Sequence, residues 1–122
     1  MTREELRVAL GPFICGCGCP EQAVQGLLAI LELCPLYKDE GFEQLSKLCG
    51  DKRFAYLLVY MLNNHKLLEH GGSAGGSWLT PHGEAMREAL QREFADGFET
   101  LFAGEGWCIH GYIYGDDCLE CR

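Results

Sequence analysis

At 122 residues and 48% hydrophobic, the chain holds enough apolar material for one core but is too short for two full-sized domains. Its apolar stretches are interrupted by polar residues well before a membrane span is reached, and no basic-then-apolar leader opens it, so the expectation is a soluble cytoplasmic protein. The formal net charge of −8 argues against nucleic acid as a general partner, and eight cysteines without a leader point to metal ligation or buried thiols rather than a disulfide scaffold.

The acidity is uneven. Residues 38–66 carry Lys38, Lys47, Lys52, Arg53 and Lys66 against four carboxylates, whereas residues 67–122 carry three arginines against ten. In chain order, "TREELRVAL" sets Leu6 and Leu10 one helical turn apart, and Gly11-Pro12 ends that short helix. "PEQAVQGLLAILELCP" opens on a proline suited to a first helical turn, repeats apolar residues at 24, 27, 28 and 31, and stops before Pro35; it is the first core helix. "GFEQLSKLCG" reads as two amphipathic turns with Phe42, Leu45 and Leu48 inward and Gly50 closing them. Asp51 then caps "KRFAYLLVYMLNN". Leu67, Leu68 and "SWLT" are strand candidates around the glycine-rich tip "GGSAGG", with Leu68 and Trp78 expected to be buried. Thr80-Pro81 starts a long amphipathic helix through Met86, Leu90, Phe94 and Phe98 to residue 103.

Helix, short helix, helix, two-stranded hairpin, helix is the order of a winged helix-turn-helix. The segments "YMLNNHKLLEHG" and "WLTPHGEAM", with a glycine-bearing hairpin between them, resemble winged-helix repressors of the multiple-antibiotic-resistance and phenolic-acid types, over residues 20–96. The "CGCG" segment and "EHGGSAGGSWLT" also resemble small phage or prophage proteins of no assigned activity. The expected fold is mainly α with a small β-hairpin. Residues 1–19 form an N-terminal helix and cysteine-rich turn, residues 20–96 a winged-helix domain, and residues 97–122 the helix end and a zinc knuckle.

The repressor resemblance implies that residues 51–64 form a recognition helix, with Lys52, Arg53, Tyr56, Asn63 and Asn64 facing DNA. The sequence departs from that pattern in three ways: "AYLLVYML" is apolar nearly all round, the hairpin tip lacks Lys or Arg, and the flanking charge is acidic. On the other reading, Lys52 and Arg53 are solvated residues at a helix start and the apolar face is core or an interface.

In "CIHGYIYGDDCLEC", Cys118 and Cys121 form a Cys-x-x-Cys hook and Cys108 with His110 offers a second pair, which together suit one tetrahedral structural Zn²⁺. Cys15, Cys17 and Cys19 alternate with glycine. They can supply half of a second metal site, a metal or redox sensor beside a helix N-terminus, or small residues at a tight turn. The arsenic-type metal-responsive repressors, also winged-helix proteins, place paired cysteines on a recognition-side helix, whereas these precede the first core helix. Cys34 and Cys49 occupy apolar helical positions and are expected to be buried thiols. His65, His70 and His82 flank the hairpin without a ligand spacing, and no nucleophile or phosphate-loop motif makes a case for an enzyme.

Two functions follow. One is a DNA-binding transcriptional regulator, homodimeric through the helix at 81–103, with zinc holding its tail. The alternative is an acidic winged-helix protein-interaction module that does not bind DNA. Neither involves a membrane. The cysteine spacing predicts about one zinc per chain by elemental analysis, lost in a Cys118→Ser/Cys121→Ser variant and retained in Cys15→Ser; protein purified without chelator and free of metal would refute the clamp.

Overall fold

The computed structural model describes residues 1–14 and 20–96. These are mainly helical, with a two-stranded antiparallel hairpin. Helix α1 (Arg3–Leu10) opens on a reciprocal cap: the Thr2 hydroxyl accepts from the Glu5 N–H at 3.1 Å, and the Glu5 carboxylate accepts from the Thr2 N–H at 3.1 Å. The bond from the Thr2 N–H is the larger cause that holds the Glu5 carboxyl below its ordinary range, with the Thr2 side chain adding to it. Gly11–Phe13 makes a short 3-10 turn, as expected where Pro12 interrupts the chain. Helix α2 (Pro20–Leu33) buries Val24, Leu27 and Leu31, half-buries Leu28, and ends two residues before Pro35.

The chain divides into two compact units, Met1–Leu28 with Glu88–Arg122, and Ala29–Arg87. In the first, Leu6, Leu10, Val24, Leu27, Ala89 and Leu90 are buried together with one charged group, Glu93. The Glu93 side chain is 2% exposed and would be costly there unpaired. Arg3 supplies the partner: its Nε donates at 2.9 and 3.1 Å to the two carboxylate oxygens, and Nη2 lies 2.8 Å from Oε2. Arg92 stands 3.5 Å from the same carboxylate and donates to the Met1 carbonyl at 3.0 Å.

The second unit contains helix α3 (Gly41–Cys49), helix α4 (Lys52–Asn64), strands β1 (Leu68–Glu69) and β2 (Trp78–Leu79), and the start of helix α5 (Pro81–Asp96). Gly50 joins α3 to α4 at φ +77°, a left-handed conformation that glycine adopts without a Cβ clash. The buried side of α3 is centred on Gly41 and Leu45, with Phe42, Ser46 and Cys49 half-buried. Leu48, expected inward, is 68% exposed: the buried and half-buried positions of α3 run through Gly41, Phe42, Leu45, Ser46 and Cys49, with Phe42 against Tyr56 of α4, and that rotation leaves Leu48 at the solvent edge. From α4, Ala55, Val59 and Leu62 enter the core.

The hairpin corrects a second expectation. The register pairs Leu68 with Leu79 and Glu69 with Trp78. Side chains alternate between faces along a strand, so Leu79 joins Leu68 inside and Trp78 faces outward with Glu69. Leu68 is 2% exposed and Trp78 37%; the indole N–H donates to the Glu69 carboxylate at 2.9 Å. Residue 80 caps α5 as the sequence suggested, the Thr80 hydroxyl accepting from the Gly83 N–H at 2.9 Å. Helix α5 buries Met86, Ala89 and Leu90; residues 97–103 of the expected helix lie outside the described residues. No helix among the described residues is long and apolar enough to cross a membrane.

This register is testable by denaturation. Leu79→Ala should cost about 2–5 kcal/mol through lost burial and a cavity, and Trp78→Ala about 1 kcal/mol or less. A larger loss at Trp78 than at Leu79 would mean that the strands are paired one residue out of step.

Candidate functional site

Helix α4 follows a tight turn after α3, where the repressor resemblance locates DNA recognition. Its first turn is organised by Asp51. The carboxylate accepts from the Arg53 backbone N–H at 2.8 Å and from the Arg53 guanidinium at 2.7 Å (Nη2) and 3.1 Å (Nε). The guanidinium beside it is the larger cause that lowers the Asp51 pKa, and the same contact raises that of Arg53. Arg53 is thus exposed but folded back onto its own helix cap. Lys52 and Asn64 are exposed, and Tyr56 is exposed with its ring tilted against Phe42 at 4.6 Å between centroids.

Asn63 is placed differently from the other four. Its amide nitrogen donates to the Val59 carbonyl at 2.7 Å and to the Ser77 hydroxyl at 3.3 Å, and its amide oxygen lies 2.9 Å from His70 Nδ1. An amide oxygen only accepts, so this contact is a hydrogen bond in the tautomer with its hydrogen on Nδ1. The buried Ser77 hydroxyl in turn donates to the Ala74 carbonyl at 2.7 Å, and the Ser77 carbonyl accepts from the Leu36 N–H at 2.8 Å. Asn63 therefore links α4 to the hairpin, with donors and acceptor occupied inside the protein. The hairpin tip is drawn in with it. Ala74 is buried, and a Cβ at Gly75 would stand 3.6 Å from the Phe42 ring, so the tip lies against α3 and α4.

The solvent side of α4 is apolar. Phe54 is 56% exposed, Leu57 56% and Met61 45%, and their spacing of three and four residues lines them up on one side of the helix. Tyr56 and Tyr60, one turn apart, flank that line, and Tyr60 stands edge-on to His70 with ring centroids 6.1 Å apart. Half-exposed aromatic and aliphatic side chains of this size offer on the order of 400 Å² of apolar surface, at the scale that marks interaction sites on monomers. Sequence reading recognised a helix apolar nearly all round but left its outer side as either core or interface. No signal in the sequence separates the two: Ala55, Val59 and Leu62 enter the core and Phe54, Leu57 and Met61 do not, a division made by the elements that pack on α4.

The metal-ligand candidates Cys108, His110, Cys118 and Cys121, and the cluster Cys15, Cys17 and Cys19, lie outside the described residues. Among the described residues no three His, Cys, Asp or Glu side chains are grouped as a metal site. Cys34 is a buried free thiol as expected, whereas Cys49 is half-buried. Desolvation pushes the Cys34 pKa up to about 11, which keeps it protonated and unreactive near neutrality. His65 and His82 are exposed. Comparison of the chain with protein-family models, curated proteins and solved structures finds no match.

Asp51 should govern both the helix start and the availability of Arg53. Asp51→Ala is expected to lower the thermal midpoint, and Asp51→Asn, which keeps a capping oxygen but loses the ion pair, to retain most of it. Because the folded-state pKa of Asp51 is lowered, the wild-type advantage over Asp51→Asn should be present above the ordinary carboxylate range and disappear as pH falls through the lowered value. Equal midpoints for all three proteins at every pH would show that the cap carries no stability.

Proposed function

We propose that the chain is a protein-interaction module built on a winged-helix arrangement, with α4 as its docking helix. The exposed apolar line Phe54, Leu57 and Met61 carries this reading. A helix that reads the major groove needs polar side chains free to reach base edges and cations for phosphates. On α4 the Arg53 guanidinium is engaged by Asp51 and the Asn63 amide by Val59, Ser77 and His70. The residues left at the surface are largely those that gain free energy when another apolar surface covers them. The hairpin supports the same choice, since its tip holds no Lys or Arg and lies against α3 and α4.

The C-terminal quartet Cys108, His110, Cys118 and Cys121 is proposed, on ligand spacing, to hold a structural zinc that stabilises the tail without chemistry of its own. Its role is separate from docking by α4.

A photo-crosslinking residue at position 60, introduced in cells, tests the docking reading. It should give discrete protein adducts that disappear in a Leu57→Glu/Met61→Glu background, a pair of surface changes expected to leave the folded state intact. Selection from a randomised DNA pool should enrich no motif. Enrichment of a motif whose binding falls roughly tenfold or more in Arg53→Ala would instead establish α4 as a base-reading helix.

A further inference from the structure

Beside the hairpin lies a cleft of about 340 Å³ lined by Pro35, Tyr37, Trp78, Leu79, Glu84 and Arg87, all in the second unit and none on α4. That volume is near the lower end of the ~300–1,000 Å³ of small-molecule pockets, so it suits a compact ligand rather than a large cofactor. Two aromatic rings form a corner of the cleft, Tyr37 and Trp78, with centroids 6.4 Å apart and planes at 73°. The indole is fixed by its bond to Glu69, and half-buried Pro35 and buried Leu79 extend the apolar lining. Glu84 and Arg87 add opposite charges to it. They stand three residues apart on α5, a spacing at which such charges ordinarily pair, yet among the described residues neither side chain has an ion pair or a hydrogen bond. Cys34 also lines the cleft, and the Arg87 charge opposes the desolvation that raises the pKa of this buried thiol, which sets the guanidinium within electrostatic reach of the inner wall.

We propose that this cleft binds a free α-amino acid with an apolar side chain, its carboxylate on Arg87, its ammonium on Glu84 and its side chain in the corner of Tyr37 and Trp78. The site is independent of docking by α4. A half-buried guanidinium without a counter-charge gains most from a ligand carboxylate, which its fork can hold through two parallel bonds. A simple anion would satisfy Arg87 but be repelled by Glu84, and a simple cation the reverse. An α-amino acid carries both charges and an apolar group on one carbon, so it answers all three features of the lining at once. A peptide C-terminus shares the carboxylate and the side chain but lacks the ammonium, and would leave Glu84 unmatched.

The test is an NMR titration of the full chain with L-phenylalanine and L-leucine, and with N-acetyl-L-phenylalanine and L-phenylalanine amide as controls that each lack one charge. At least one of the two amino acids should shift the Trp78 indole resonance, assigned through Trp78→Phe, and the backbone amides of residues 84–87, with a Kd of about 1 mM or below. Both controls should bind about tenfold more weakly or worse, and Arg87→Gln and Glu84→Gln should each lower affinity by about tenfold. Glu84 is exposed, so Glu84→Gln should keep the dispersed spectrum of the folded chain and its loss of binding be read as a loss of contact. Leu57→Glu/Met61→Glu should bind as the wild type does, which separates this site from the docking helix. No shift from either amino acid at about 10 mM overturns the proposal. So does undiminished binding in both Arg87→Gln and Glu84→Gln. N-acetyl-L-phenylalanine binding as tightly as L-phenylalanine would assign the cleft to a peptide C-terminus instead, and the amide binding as tightly would assign it to a cation; either result overturns the amino-acid site.

Discussion

The arrangement of the second unit depends on one junction, where Thr80, Leu67 and Gly83 meet. The Leu67 carbonyl accepts from the Thr80 N–H at 3.0 Å, while the Thr80 hydroxyl is within hydrogen-bonding reach of the Lys66 and Leu67 carbonyls and accepts from the Gly83 N–H. The Leu67 N–H in turn donates to the Leu62 carbonyl at 3.0 Å. The end of α4, the start of β1, the end of β2 and the first turn of α5 are thereby held around a few backbone groups. Gly83 permits this: a Cβ there would collide with the Leu67 carbonyl oxygen. Closing the hairpin at this point sets the pairing of Leu68 with Leu79, which turns Trp78 outward.

A second polar connection, from Asn63 through Ser77 to Ala74 and from Asn63 to His70, determines which side of α4 is left for solvent. With Asn63 turned toward the hairpin and Ala55, Val59 and Leu62 in the core, the opposite side presents Phe54, Leu57, Met61 and the two tyrosines. A buried polar network is costly unless satisfied, and every buried side-chain nitrogen and oxygen among the described residues has a partner. Among the described residues the apolar outer side has no such internal explanation. Nothing in stability favours holding large hydrophobic side chains in water, which is the physical reason for proposing that a partner covers this side.

In the first unit the analogous constraint is ionic. Glu93 is buried on α5 and matched by Arg3, 90 residues away in sequence, so the first turn of α1 is chosen by charge as well as by the burial of Leu6 and Leu10. Removing one member of such a pair leaves a desolvated charge, whereas replacing both by apolar groups need not destabilise.

How much of this was legible in the sequence follows from the range of the interactions involved. Helix caps and stops are local: Thr80 before Pro81, Asp51 before Lys52, Gly50 after Cys49 and the apolar spacing of Val24, Leu27 and Leu31 each act within a turn or two, and all are found where the sequence indicates. The residues facing a groove or partner were only partly legible. Lys52, Arg53, Tyr56 and Asn64 are at the surface, but the sequence does not reveal that Asn63 bonds to Ser77, 14 residues on, or that Arg53 turns back to Asp51. Leu48 and Trp78 were misjudged for the same reason: amphipathic spacing gives the period of a helix or strand, whereas its rotation and register are decided by what packs against it. The chain's own pattern determined the elements and their order. Only tertiary packing decided that the hydrophobic residues of α4 exceed what the core can take, because the capacity of a core is a property of all its neighbours together.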